Sequence, residues 1–231
     1  MKLTFRRGVI HGFPICLGYL SVSFGFGITA VANGLTPLQA TLISAFNLTS
    51  AGQAAGVGII ATMGSYIEMV LSQFIINLRY ALMGISLTQK LDNCFITPHR
   101  MIAAFGITDE IFAVAYSQDG KIKPCYMYGM IFISWLGWVG GTLLGSLAGT
   151  VLPAIITGAL GIMLYAMFIA IVVPPARQNG NILFAVLIAT VLSIACYYLA
   201  PFISSGFAII ICAVIASTIA AIVFPVKEGE E

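Results

Sequence analysis

Charge is what this sequence has least of: ten Lys and Arg and eight Asp and Glu make up 8% of 231 residues, against about a quarter in an ordinary soluble domain. So few charges cannot cover a water-facing surface, which excludes a soluble globule. The chain carries no GxxxxGK loop for a nucleotide, no HExxH and no GxSxG, so nucleotide-driven pumping and the common hydrolytic chemistries find no seat in it, and no enzyme is expected. Its five cysteines (Cys16, Cys94, Cys125, Cys196, Cys212) form no CxxC and no Cys/His pair. Neither a disulfide framework nor a metal site is expected from them, and no cofactor. A net charge of +2 from scattered basic residues excludes a nucleic-acid footprint and a polybasic lipid patch.

Apolar residues fill the space that charge leaves. They are 60% of the chain, and a mean hydropathy of +1.04 says that its solvent is a lipid bilayer. At about 20 residues per crossing, 231 residues allow about eight segments and leave no room for a soluble domain, so 1–231 reads as one transmembrane domain. The first segment, behind Lys2, Arg6 and Arg7, is not a cleaved signal: its apolar stretch outruns the usual core of about 7–15 residues and carries His11 and Pro14. Segments bounded by Gly, Pro or charge run at 9–33, 37–62, 65–88, 98–118, 124–150, 153–173, 182–200 and 202–224, with a turn expected at Pro174 to Gly180. The fold class is an all-α integral membrane protein of about eight embedded segments.

Two segments, 36–62 and 97–118, contain a second helix start in their middle. The first opens with Thr36 as cap, Pro37 at the first helical position and Gln39 three residues after the cap. It restarts at Ser50-Ala51-Gly52-Gln53, read as a second cap with Gln three residues on, behind Asn47 and Thr49. The second restarts at Gly106-Ile107-Thr108-Asp109-Glu110, a cap followed by two acids where the helix dipole favours negative charge. Both read as broken or re-entrant helices. Thr36-Pro37 with Ala45-Phe46-Asn47-Leu48-Thr49-Ser50 parallels Thr97-Pro98 with Ala104-Phe105-Gly106-Ile107-Thr108-Asp109, which suggests an inverted repeat in the first half, the sequence pointer to a secondary transporter.

Charge placement agrees. If all eight segments crossed, Lys90 and Arg100 would lie outside while Arg7, Lys121, Lys123, Arg177 and Lys227 lay inside. If the two broken segments re-enter, every loop Lys and Arg falls inside, with six crossings and both termini cytoplasmic, in the cell membrane of a prokaryote.

Glu68, Asp109, Glu110 and Arg79 sit within apolar stretches, where a charge costs at least ~2.5–3.5 kcal/mol unless paired, hydrated or neutralised. On the helix through 65–88, Glu68, Ser72 and Arg79 share one face and Gln73, Asn77 and Tyr80 another. Glu68 and Arg79 are about 16 Å apart and cannot pair with each other. Glu68 is read equally as a headgroup-level or an embedded acid. Arg79 either snorkels toward Lys90 or pairs with Asp109 or Glu110, one acid then serving the site. Asn47, Thr49 and Gln53 are at the least backbone satisfiers of the break. Gly137, Gly141, Gly145 and Gly149 recur every four residues and form a packing seam about 18 Å long. Trp135 and Trp138 are read as interfacial anchors or core, and His11 and His99 as polar satisfiers.

Several runs, in order, resemble the AzlC-type branched-chain amino acid permease family, known for azaleucine resistance: Gly12-Phe13-Pro14-Ile15 with Gly18-Tyr19 and Phe24-Gly25, Ala51-Gly52-Gln53, Asn77-Leu78-Arg79-Tyr80-Ala81-Leu82, and Thr108-Asp109-Glu110-Ile111-Phe112-Ala113. The chain departs from the usual family pattern at Ser21-Val22-Ser23 and at Tyr80, where histidine is frequent. The resemblance implies efflux of leucine, isoleucine or valine together with a small AzlD-like membrane partner. On that reading the substrate-binding candidates are Asn47, Ser50, Gly52, Gln53, Asn77, Arg79, Asp109 and Glu110. The start of the helix at Ser50 to Gln53 would face the substrate carboxylate and Asp109 or Glu110 its ammonium. Proton coupling falls to Asp109, Glu110 or Glu68. A channel or facilitator for a small solute, and a structural membrane subunit without its own site, remain as alternatives.

Overall fold

A computed structural model of the protein describes residues 3–153, 155, 169 and 172–225. Most of the expected segment at 153–173, and the tail from Lys227, lie outside the described residues. Nine α-helices are delimited among them: α1 (Phe5–Ala32), α2 (Pro37–Phe46), α3 (Ser50–Ala61), α4 (Tyr66–Thr88), α5 (Thr97–Phe105), α6 (Asp109–Tyr116), α7 (Pro124–Val151), α8 (Gly180–Leu199) and α9 (Ser205–Val223). Helices α1, α4, α7, α8 and α9 are long and apolar enough to cross a bilayer. The halves of the broken segments, at 10, 12, 9 and 8 residues, are too short to do so. Among the described residues the expected eight segments thus resolve into five spans and two interrupted segments.

Residues 172–178 are helical, which corrects the expected turn at Pro174 to Gly180. Proline's fixed φ is itself in the helical range, so Pro174-Pro175 does not oblige a turn, although neither residue can donate a helical backbone bond. The stop comes only at Asn179, whose side chain accepts from Asn181 N at 2.8 Å and caps α8.

The chain groups into two compact units, one of Met1–Ala54 with Ile76–Leu164, the other of Ala55–Ile75 with Tyr165–Glu231. In the first, α1 and α7 pack together along most of their length. The glycine seam expected on α7 fixes how: a Cβ on Gly137, Gly141 or Gly145 would strike the carbonyl of Cys16, Leu20 or Phe24, and one on Gly149 would meet Ile28 at 3.4 Å. Partners advance by four residues on both helices, so α1 and α7 run parallel. Gly8 and Gly12 of α1 repeat the approach from the other side, against Tyr126 and Met130. Only glycine lets two backbones come this close.

The starts of α1 and α7 share one end of this unit, where Cys125 Sγ lies 3.5 Å from the Leu3 carbonyl. The residues after α4 and after α6 meet at that end: Lys90 Nζ donates to the Tyr116 and Gln118 carbonyls, Lys121 Nζ to the Gln89 carbonyl at 2.7 Å, and Asp92 N to the Ile122 carbonyl at 2.9 Å. The first turn of α5 is there too, with His99 Nδ1 2.6 Å from the Tyr128 hydroxyl. The segment 97–118 therefore begins and ends at one end of the unit. Helix α2 starts beyond the opposite end of α1 and runs inward until Ser44 meets Thr142 at 2.7 Å and the Ala45 carbonyl accepts from Trp135 Nε1 at 2.9 Å.

In the second unit the last turns of α3 and the first of α4 run antiparallel, Gly56 facing Met69 and Gln73. Helices α8 and α9 pair through Phe184 and Phe224, with ring centroids 5.3 Å apart, and through Cys196 and Cys212, with sulfurs 3.7 Å apart.

Candidate functional site

Each interruption is built by local capping chemistry. Thr36 and Gln39 form a full capping box, Thr36 N donating to Gln39 Oε1 at 2.8 Å and Gln39 N to Thr36 Oγ1 at 3.3 Å. Helix α2 stops at Asn47, in extended backbone. The cap of α3 is Thr49 rather than Ser50: Thr49 Oγ1 accepts from Gly52 N at 3.4 Å and Ser50 is already helical. The sequence offers two adjacent hydroxyls, and the helix uses the earlier one, which frees Gln53 from a capping role. At the second interruption Thr108, in extended backbone, accepts from Ile111 N at 3.4 Å and leaves Asp109 and Glu110 in the first turn of α6, as expected. The parallel between the segments ends at their starts, since Ile96 precedes α5 without a side-chain cap bond and Thr97 lies inside the helix.

Two bridges join the interruptions within the first unit. One is buried. Tyr19 of α1 reaches Glu110 Oε2 at 2.5 Å and Thr108 Oγ1 at 2.6 Å, its ring standing edge-on to Trp138 of α7 at 5.3 Å. Trp138 Nε1 donates to Gln53 Oε1 at 3.0 Å, and Gln53 Nε2 donates to the Asn47 carbonyl at 2.5 Å and to Ser44 Oγ at 3.3 Å. Gln53 is fully buried with all its polar atoms used, as burial of an amide requires.

The other bridge is open and comes from α4. Arg79 Nη1 pairs with Asp109 Oδ2 at 2.8 Å, and Nη2 donates to the Tyr80 hydroxyl at 3.2 Å. The side chains of Arg79 and Asp109 are 43% and 39% exposed, so this ion pair is accessible. Tyr80 reaches Thr49 Oγ1 at 3.5 Å, and Thr49 donates to Asn77 Oδ1 at 2.8 Å. Of the two pairings open to Arg79, the structure takes Asp109, which leaves Glu110 to Tyr19.

Asn47, Ser50, Gly52, Gln53, Asn77, Arg79, Asp109 and Glu110 all fall on or beside these two bridges. Glu68 does not. It belongs to the second unit and is buried there, its Oε1 accepting from Ser204 Oγ at 2.5 Å and from Gly206 N at 2.9 Å at the start of α9. That is an N-terminal anchor for α9, well suited to the helix dipole. Sequence reasoning gave no site role to Tyr19, Trp138, Ser44 and Thr142. No sequence signal singles them out: Trp138 and Thr142 each follow a seam glycine and are buried, but Thr150 follows Gly149 in the same way and is exposed.

Long apolar helices interrupted by buried polar breaks define a polytopic helical membrane protein. The sequence profile of the family described as AzlC protein matches residues 14–152, and the chain belongs to that family. It is 33% identical to a protein of Archaeoglobus fulgidus described as an uncharacterized membrane protein, over 74% of this chain and 75% of that one. It is 29% identical to the inner membrane protein YgaZ of Escherichia coli strain K12, over 78% of this chain and 76% of that one. A Helicobacter pylori membrane protein is 25% identical over 77% and 78% of the two chains. No solved structure matches the chain.

Proposed function

We propose that this protein is a proton-coupled secondary transporter that exports branched-chain amino acids through a prokaryotic cell membrane. On this reading it is the large subunit of a two-component permease with a small AzlD-like membrane partner. The observation that carries the proposal is the meeting of two helix interruptions around an accessible Arg79–Asp109 pair in an otherwise apolar chain. Uncompensated charge is expelled from a membrane interior, and interrupted helices are where secondary transporters hold charged substrates. The Arg79 guanidinium and the first-turn N–H groups of α3 suit a carboxylate, Asp109 or Glu110 suits an ammonium, and apolar walls suit a branched side chain. Glu110 or Asp109 carries the proton.

The two broken segments enter the membrane from opposite sides and return. Support comes from Lys90, Lys121 and the start of α1, which share one end of the first unit, while α2 sets out from the other. By the positive-inside rule the end that carries Lys90 and Lys121 is the cytoplasmic one, and the reading assigns both termini to that side.

The decisive experiment is counterflow of isotope-labelled leucine in proteoliposomes, with and without an AzlD-like partner, at two imposed pH gradients. Saturable, gradient-sensitive exchange is expected. Flux only with the partner makes the complex the transport unit. Leak without saturation would mean a channel, and no flux under either condition a structural subunit.

A further inference from the structure

The two first-turn acids of α6 are in different circumstances, and the difference assigns them different work. Glu110 is held from the buried side by Tyr19, which is itself 9% exposed and wedged against Trp138. Asp109 faces the open side, and its partner Arg79 is as accessible as Asp109 is. We infer that the Arg79–Asp109 ion pair is the docking element of the transport site: it opens to admit a zwitterion, Arg79 taking the substrate carboxylate and Asp109 its ammonium, while Glu110 stays with Tyr19. The inference rests on the carrier reading above and deepens it by naming which groups the substrate displaces.

The argument is one of charge balance. The closed pair is neutral, which is how an accessible arginine persists in a membrane segment. A ligand bearing only a carboxylate would take Arg79 and strand Asp109; one bearing only an ammonium would strand Arg79. A zwitterion exchanges one ion pair for two and strands neither group. Arg79 is also kept in place while the pair opens, because its second nitrogen stays on the Tyr80 hydroxyl at 3.2 Å and its guanidinium carbon lies 5.0 Å from the Tyr80 ring centroid. Tyr80 in turn leads to Thr49 and Asn77 at the first interruption, so a carboxylate drawn to Arg79 arrives beside the start of α3.

The test is a ligand ladder measured by displacement of labelled leucine from purified protein: leucine, leucine methyl ester (cation alone) and 4-methylpentanoate (anion alone). Wild-type protein should prefer leucine to either analogue by about 100-fold, the scale of a broken charge pair. Asp109→Asn should abolish the preference over 4-methylpentanoate and keep that over the ester. Arg79→Gln should do the reverse. In the double variant R79Q/D109N no charge is stranded, so a merely structural pair predicts a folded protein that binds leucine as wild type does, whereas a docking pair predicts about 100-fold weaker binding in a protein that still elutes and melts normally. Wild-type leucine binding by the double variant, or loss of all three ligands alike in both single variants, overturns the inference and leaves the carrier reading standing. If the uncharged variants do not fold, Arg79→Lys and Asp109→Glu, which keep both charges, should retain the leucine preference. Its disappearance in both overturns the docking role. Wild-type protein with no leucine exchange removes the carrier reading, and the inference with it.

Discussion

Replacing Trp138 by phenylalanine keeps an aromatic ring for Tyr19 to pack against and removes the indole donor to Gln53 Oε1. A buried carbonyl left without a partner costs about 1–3 kcal/mol. Trp138→Phe should therefore lower the thermal midpoint of the detergent-purified protein, and Gln53→Leu should lower it further, because it strands the Trp138 N–H and also removes the Nε2 bonds to the Asn47 carbonyl and Ser44 Oγ. Asp92, in the loop between α4 and α5, accepts from Cys94 N at 3.0 Å, and that bond, with Lys123 and Lys121 nearby, holds its carboxyl below the usual carboxylate range. A carboxyl depressed in the folded state contributes stability above its unfolded pKa and loses it as pH falls. Thermal midpoints of wild type and Asp92→Asn should differ at neutral pH and converge under acid conditions. At this scale the sequence was readable where a charge had no apolar excuse: Asp109, Glu110 and Arg79 stood out for their cost in lipid. Tyr19 and Trp138 did not, since an aromatic in an apolar run is equally at home in core, lipid or site, and only its neighbours decide.

Helix boundaries are local chemistry, and most of them could be read. Thr36 with Gln39, and Thr108 with its two acids, cap the helices that their spacing announces. The choice between Thr49 and Ser50 could not be read, because both are good caps and the backbone at 47–49 settles it. Thr36→Ala removes the hydroxyl that accepts from Gln39 N, leaving the residue's own N–H bond to Gln39 Oε1 in place, and should cost about 1 kcal/mol in thermal or chemical unfolding. The glycine seam makes a sharper comparison. A methyl group at Gly145 meets the Phe24 carbonyl, whereas one at Gly140, on the same helix, meets nothing within 4 Å. Gly145→Ala should cost more than ~3 kcal/mol or abolish folded yield, while Gly140→Ala is neutral or slightly stabilising by helix propensity. The seam itself was plain in the sequence. Its partner was not, because α1 carries only part of the matching pattern and meets α7 elsewhere through ordinary residues.

For the molecule as a whole, the spans were legible as apolar runs, but which ends lie together is a long-range fact that no window of residues contains. The contact of Lys90 with Tyr116 and Gln118 supplies it for the first unit. In a background without the native cysteines, single cysteines at Gln89 and Gln118 should react with a membrane-impermeant thiol reagent from the same side of the membrane, and one at Asn33 from the opposite side. Labelling of Gln89 and Gln118 from different sides would show that the segment 97–118 crosses rather than returns.

A helix pair that touches backbone to backbone along a glycine seam has few rotamers to rearrange there and no room to slip by a residue, because a slip brings the Cβ atoms of non-glycine residues against the facing carbonyls. Helices α1 and α7 therefore act as a rigid axle within their unit. The nearest places where the chain lacks a continuous hydrogen-bond ladder are the interruptions at 47–49 and 106–108, each within reach of the middle of that axle through Trp138 and Tyr19. Those two points are the hinges nearest the middle of the axle. Amide exchange should be slowest along α1 and α7 and fastest, among buried residues, on either side of the two breaks.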